Sequence, residues 1–359
     1  MAAGHGTRMR SALPKPLHPL CGRPMLLHVL DALSELYLEL TVVVVGHGAE
    51  PVTKTLQEHG PPDLVLDFVE QRVSRGTADA LSVALTALPD DDLDDADIVV
   101  LPGDTPLVRA ATLSNLVTEH RESDAAATLL SARLADPTGL ARVIRGKDGR
   151  VARVVDDADA TEAERDIDEV ASSIYCFRRG LLAPALRRIR PENVKGEYYL
   201  TDVVAVLHGT GHKVVAVAID DPSETVGVND RAQLAAAEGE LRRRINDRWM
   251  RAGVTMIDPV HTYVDAAVHL AADVTLLPGT VLQGRTVVGR GARLGPHTRL
   301  ADCVVGENAV VEQTVAYDAE IGASSTVGPF ASIAAGAHIR PGFSTGAFYT
   351  APGGDDDGL

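Results

Sequence analysis

The chain is short of several things, and each shortage narrows what it can be. Only three of its 359 residues are cysteine. Cys21, Cys176 and Cys303 lie far apart and lack metal-ligand spacing, so they are expected to be reduced, partly buried thiols of a cytoplasmic protein. No apolar run approaches the roughly 20 residues that span a bilayer, and no basic-then-apolar leader pattern follows Met1. Positive charge is also scarce: 34 Lys and Arg against 50 Asp and Glu leave a net charge of −16. That balance argues against a nucleic-acid partner, but a nucleotide substrate is a matter of local cations. Much of the acidity sits in runs such as Asp90 to Asp97 and Asp355 to Asp357, which are expected in solvated loop and tail.

What the chain does have is most concentrated at its amino-terminal end. Ala2-Ala3-Gly4-His5-Gly6-Thr7-Arg8-Met9 is followed by Leu13-Pro14-Lys15-Pro16-Leu17 and then by Gly22-Arg23-Pro24-Met25. Gly4 and Gly6 let the backbone come close to a phosphate, and free amides in such a loop make a concave anion site. Arg8 and Lys15 add cations suited to phosphate oxygens, while Pro14 and Pro16 limit where the Lys15 ammonium can go. The loop suits a nucleoside triphosphate, although it is neither the Rossmann nor the Walker pattern and by itself would pass for a glycine-rich turn.

A length of 359 residues suggests two or so domains. Residues 1 to about 230 alternate strand-like and helix-like segments. Thr41 to Val45 and Ile98 to Leu101 are β-branched or aliphatic runs closed by Gly46-His47-Gly48 and Pro102-Gly103-Asp104. Ala78 to Leu88 has helical spacing, and further strands are expected at Ala126 to Leu130, Val151 to Val155, Ile174 to Phe177 and Val214 to Ile219. This alternation predicts an α/β domain with a mostly parallel, Rossmann-like sheet whose ligands bind at the carboxyl ends of its strands. Asn229 to Arg251 predicts a connecting helix, with Arg242-Arg243-Arg244 on a solvated face.

From about Val254 an aliphatic residue recurs every six positions. Leu270, Leu276, Leu282, Val288, Leu294 and Leu300 are followed, after a break containing Val305 and Val311, by Ile321, Val327, Ile333 and Ile339. This period fits neither a helix nor an alternating strand. It predicts a parallel β-helix with three hexads to the coil. The expected boundaries are an α/β domain over 1–229, a linker helix over 230–252, a β-helix over 253–345 and a disordered tail over 346–359.

The amino-terminal loop resembles the signature of sugar-1-phosphate nucleotidyltransferases. Leu13 to His18 is most similar to the N-acetylglucosamine-1-phosphate uridylyltransferases, the GlmU family, whose transferase domain is followed by a left-handed β-helix. The resemblance implies a reaction in which the oxygen of a sugar-1-phosphate attacks the α-phosphorus of UTP and pyrophosphate leaves. The attacking phosphate is already anionic, so alignment and charge neutralisation carry the catalysis. It implies Arg8 and Lys15 as cationic clamps and Ala2, Ala3, Gly4 and Gly6 as the phosphate loop. Gln71, Gly76 and Thr77 stand where the family contacts uracil. Asp104 and Asn229 stand where it holds Mg²⁺, and a homotrimer is the implied assembly.

The sugar side departs from the family pattern. Ala141 stands for a sugar-contact glycine, Asp156 for a glutamate and Ala171 for an asparagine, while Thr201 within Glu197-Tyr-Tyr-Leu-Thr-Asp202 is kept. Specificity therefore stays open between N-acetylglucosamine-1-phosphate and another sugar or base, as does a trimeric paralogue without turnover. Acetyl transfer on the β-helix is expected to be absent, because a substrate arginine aligns with Ala334, a lysine with Pro352, and the family's later coils would lie beyond Leu359. The family also has a strand ahead of the phosphate loop, so the native chain is expected to begin upstream of Met1 or to be longer than this sequence.

Overall fold

The computed structural model describes residues 1–4, 6–46, 49–89 and 96–353. His5, His47, Gly48, most of the Asp90 run and Asp355 to Asp357 lie outside the described residues. The chain divides into two compact units, one of residues 1–18 and 24–234, the other of residues 19–23 and 235–359.

The first unit is α/β. Its strands are β1 (Thr41–Val45), β2 (Leu66–Glu70), β3 (Asp97–Val100), β4 (Ala127–Arg133), β5 (Arg142–Arg145), β6 (Val151–Val155), β7 (Glu169–Arg178) and β8 (Val214–Ala218). Its helices are α1 (Met25–Ser34), α2 (Glu50–His59), α3 (Thr77–Leu85), α4 (Ala110–Glu122), α5 (Glu162–Arg165), α6 (Arg179–Leu186) and α7 (Asp202–Gly209). Strands β1 and β2 pair in parallel, as do β8 and β4. The long strand β7 runs against them: it is antiparallel to β4 along one edge and on the other meets β3 at one end and Arg142 of β5 at the other. Apolar residues from both faces of this sheet, among them Val44, Leu129, Leu130, Tyr175 and Phe177, are almost wholly buried. A sheet buried on both faces needs such continuous apolar strands.

The first residues of the chain join this sheet. Ala2 bridges Val45 in parallel and donates its N–H to Val44 O at 2.7 Å. The Met1 nitrogen donates to Leu101 O (2.7 Å), and Met1 O accepts from Gly103 N (2.7 Å). Residues 1–3 thus tie β1 to the end of β3 and launch the phosphate loop from the carboxyl edge of the sheet.

Helix α8 (Arg231–Arg251) occupies the expected connecting stretch, and the boundary between the units falls inside it, after Leu234. The second unit is a solenoid of strands two or three residues long, stacked in parallel on three faces. One inward column runs Met256, Leu276, Leu294, Val311, Val327. A second runs Val264, Leu282, Leu300, Ala316, Ile333, Ala351, and a third Leu270, Val288, Val305, Ile321, Ile339. All of them are buried. This is the architecture of the expected left-handed β-helix. The break in the six-residue spacing is explained by its register: Leu300 to Val305, Val311 to Ala316 and Ala316 to Ile321 are steps of five, yet Val305 still stacks on Val288, Ala316 on Leu300 and Ile321 on Val305. A residue is lost between strands, and the stack is undisturbed.

Buried threonines stitch the coils together. Thr280 Oγ1 donates to Leu277 O (2.7 Å) and lies 3.2 Å from Leu294 O, while Thr298 Oγ1 reaches Val311 O at 3.2 Å. The hydroxyls add a second donor to carbonyls that already accept from the neighbouring coil, Leu294 O from Leu277 N (2.8 Å) and Val311 O from Gly295 N (2.9 Å). The solenoid also runs past the expected boundary at residue 345. Thr350–Ala351 pairs with Ser332–Ile333, and Ala351 is buried as the last member of its column. The expected disordered tail from 346 is corrected accordingly, because a small apolar residue at the inward position continues the stack; residues 354–359 lie outside the described residues.

Candidate active site

Four side chains from distant parts of the sequence meet at the carboxyl edge of the α/β sheet. Lys15 opens a 3₁₀ turn, Lys15–Leu17, immediately after Pro14, whose extended backbone turns the chain inward. Its ammonium donates to Asp104 Oδ2 and, at 2.9 Å, to Asn229 Oδ1. Arg8, in the 3₁₀ turn Thr7–Met9, donates from Nη2 to the same Asn229 oxygen at 2.9 Å. Asp104 lies in the turn after β3, and its backbone carbonyl accepts from Val228 N (2.8 Å), which brings the Gly227-Val228-Asn229 segment alongside. Asn229 is fixed in turn by its own N–H, which donates to Gln233 Oε1 (2.7 Å).

The phosphate loop shows why glycine is needed where it stands. Gly6 is left-handed (φ +58°), and a Cβ there would come within 2.7 Å of Lys15 Cβ. Gly46, at the end of β1, faces Ala3 so closely that a Cβ would sit 2.6 Å from Ala3 O. Arg231 Nε donates to Met9 O (3.2 Å), a stay on the loop that its place in a predicted linker helix did not suggest.

Gln71, Gly76 and Thr77 also come together. Gln71 is buried, and its amide nitrogen donates to Asp79 Oδ2 (2.8 Å) and Gly76 O (3.2 Å), so Oε1 is the atom it has to offer a base. Gly76 (φ +116°) lies against the backbone of Tyr198, which accepts from Ala78 N (2.9 Å), and Thr77 Oγ1 accepts from Leu200 N (2.9 Å). Thr77 therefore secures the neighbouring segment and does not cap α3.

The sugar-side candidates share one register. Arg142 of β5 pairs with Val155 and with Val170, so Ala141, Asp156 and Ala171 are the adjoining residues of three paired strands. Ala171 N donates to Ala141 O at 2.9 Å. Thr201 precedes α7, two residues after Tyr199, over whose ring the Lys195 ammonium lies 5.5 Å from the centroid. Lys195 also lies 3.8 Å from Asp156. Burial works against the Lys195 ammonium, but Asp156, Tyr199 and Glu197 outweigh it and hold its pKa above the ordinary lysine value. Lys195 escaped the sequence analysis because it stands just ahead of Glu197-Tyr-Tyr-Leu-Thr-Asp202. Burial first, and then Asp159, raise the Asp202 carboxyl.

Comparison with known proteins now bears on this geometry. Residues 1–190 match the MobA-like NTP transferase domain. Over 323 residues the chain is 48% identical to the bifunctional protein GlmU of Thermobifida fusca, covering 90% of this chain and 66% of that protein. It is 45% identical over 342 residues to the bifunctional protein GlmU of Desulfitobacterium hafniense, covering 95% of this chain and 72% of the relative. The chain belongs to the GlmU family. It carries the family's nucleotidyltransferase domain followed by a hexapeptide-repeat solenoid. The counterpart in Halalkalibacterium halodurans is 42% identical over 341 residues, again across 95% of this chain and 72% of that protein. Among the described residues no helix is long and apolar enough to cross a membrane.

Proposed function

We propose that the chain is a uridylyltransferase that joins UTP to N-acetylglucosamine-1-phosphate, giving UDP-N-acetylglucosamine and pyrophosphate. The reading is carried by the convergence of Lys15, Asp104, Asn229 and Arg8 beside a glycine loop. Asp104 and Asn229 present hard oxygen atoms that already hold a cation, the Lys15 ammonium, which is the test a magnesium site must pass. Bound there with the nucleotide, Mg²⁺ would neutralise triphosphate charge and orient the α-phosphate.

The chain's own residues do the rest. Lys15 and Arg8 exchange their protein partners for phosphate oxygens, and backbone N–H groups of the loop accept the remaining charge. Gln71 Oε1 and the Gly76 backbone face the base. The sugar-1-phosphate oxygen attacks in line without needing to lose a proton to a base. Ala141, Asp156, Ala171 and Thr201 line the sugar side; Ala171 offers no amide, and one missing partner costs about 1–3 kcal/mol. A different hexose-1-phosphate is the second reading, favoured by that absence and by Lys195 beside Asp156.

We also infer that the solenoid contributes no acetyl transfer, on the grounds of Ala334 and Pro352, and that it assembles three chains of a cytoplasmic homotrimer. Pyrophosphate release across a panel of nucleoside triphosphates and sugar-1-phosphates with magnesium tests the main proposal, with fastest release expected for UTP and N-acetylglucosamine-1-phosphate. No release from any pair, by a folded protein, would make the chain a non-catalytic member. Thiol release from acetyl-CoA with glucosamine-1-phosphate, and the mass in solution by light scattering, check the other two statements.

A further inference from the structure

A second cluster with different chemistry sits at the opposite edge of the α/β sheet, away from the phosphate loop. Asp97 opens β3, His120 lies in the last turn of α4, and Cys176 is on β7, opposite Val99 of β3 and Thr128 of β4. The ligand atoms of Asp97, His120 and Cys176 all lie within 4.8 Å of one another, and among the described residues this is the one such group of three. His120 is 1% exposed and Cys176 is fully buried. His120 Nε2 approaches Asp97 Oδ1 to 3.3 Å without the alignment of a hydrogen bond, so a buried ring nitrogen is left unsatisfied and aimed into the cluster. An orphaned nitrogen in a native interior calls for an explanation.

We propose that Asp97 Oδ1, His120 Nε2 and Cys176 Sγ form a binding site for a zinc-like divalent cation, separate from the site of nucleotidyl transfer. The donor set of one oxygen, one nitrogen and one sulfur selects against the hard cations magnesium and calcium. With bonds of about 2.0–2.1 Å, two tetrahedral ligands of zinc lie about 3.4 Å apart, and Asp97 and His120 already stand at that separation. A carboxylate and a thiolate neutralise a dication, and the Arg121 guanidinium paired with Asp97 is 67% exposed, so its charge stays in solvent; this makes the burial tolerable. On binding, the Cys176 thiol gives its proton to solvent and the sulfur electron pair goes to the metal.

The surrounding groups are those a metal site requires. His120 Nδ1 lies 2.9 Å from the fully buried Thr128 Oγ1. Donation from Nδ1–H to that hydroxyl puts the free lone pair on Nε2 and fixes the ring. Arg121 Nε donates to Asp97 Oδ2 (2.7 Å), which orients the carboxylate with Oδ1 toward the cluster. Arg178, the other nearby cation, is engaged by Asp124 at 2.5 Å. A tetrahedral ion would take its fourth ligand from water. A cation here would pin the end of α4 to β3 and β7.

The test is titration of the chelator-treated full chain with Co²⁺, followed by absorption. One equivalent is expected to bind with tetrahedral visible bands and a near-ultraviolet thiolate-to-cobalt band, and Zn²⁺ is expected to bleach both. Cys176→Ser should abolish the thiolate band, His120→Gln should weaken binding at least tenfold, and Cys303→Ser should change neither. Zn²⁺ should raise the melting temperature of the wild-type protein and not that of Cys176→Ser. Failure of the wild-type chain to bind Co²⁺ stoichiometrically, or a thiolate band that survives Cys176→Ser, overturns the proposal. The wild-type titration decides even if a variant does not fold, and none of these readouts depends on transferase activity.

Discussion

Replacing Lys15 with Met should make the protein a better metal binder and a worse enzyme. The Lys15 ammonium neutralises Asp104 and occupies Asn229 Oδ1, the two oxygen donors proposed for magnesium. A metal ion arriving alone must displace it, whereas one arriving with a triphosphate supplies the ammonium with new partners. The Lys15 and Asp104 side chains are 11% and 25% exposed, between the two measured regimes. Exposed pairs are worth up to about 1 kcal/mol, and breaking buried ones costs about 3–5 kcal/mol. An intermediate value of about 2 kcal/mol corresponds to about 30-fold in affinity. Lys15→Met keeps the stem and removes the charge, so it should bind Mn²⁺ about 30-fold more tightly than wild type in the absence of nucleotide. Pyrophosphate release should fall by about 10²-fold or more, the cost of one lost donor at the reacting phosphate. Electron paramagnetic resonance of free Mn²⁺ measures the first effect, with Asp104→Asn as the control that should lose the site. Mn²⁺ affinity that is unchanged or weaker in Lys15→Met would refute the argument that the ammonium guards this site.

Three other perturbations test other parts of the structure. Gly76→Ala places a Cβ 2.4 Å from Tyr198 O at φ +116°, against backbone that cannot yield, so it should cost about 2–3 kcal/mol in denaturant unfolding and weaken nucleotide binding. Burial alone would raise the Glu169 carboxyl, but hydrogen bonds from Arg145 (2.7 and 2.9 Å) and Ser131 (2.9 Å) overcome it and hold the pKa below its ordinary 4.5. That stabilisation is complete above about pH 5 and lost as the pH falls through the depressed folded value. Glu169→Gln should therefore cost about 1.5–3 kcal/mol at pH 7, with a difference from wild type that shrinks below pH 4.5 in urea melts. Leu294→Ala opens a cavity in a fully buried column between Leu276 and Val311 and should cost about 2–5 kcal/mol by thermal or chemical melting.

How much of this was visible in the sequence depends on how far the deciding contact reaches. The hexads were legible because each inward aliphatic residue is specified locally, and only the three five-residue steps looked like a break. The strands of the α/β unit were legible as apolar runs, but nothing local marks Glu169–Arg178 as antiparallel; direction is set by which neighbours it pairs with. Lys15, Asp104 and Asn229 could be named together through family resemblance, since spacing alone does not link positions so distant. The same distance hid the second cluster: Asp97, His120 and Cys176 come from two strands and a helix, so the cysteines lacked any knuckle spacing to notice. Ala351 was missed because the low-complexity stretch after it drew the whole segment into the expected tail.

The threonine-stitched solenoid has a mechanical corollary. Each coil grips only the one before and the one after, so force applied along its axis should peel it coil by coil, and the record should show small, nearly equal steps. An insult at one level should be felt by its two neighbours and fade beyond them. Such a rod can be lengthened or shortened by whole coils over evolutionary time without re-engineering the rest.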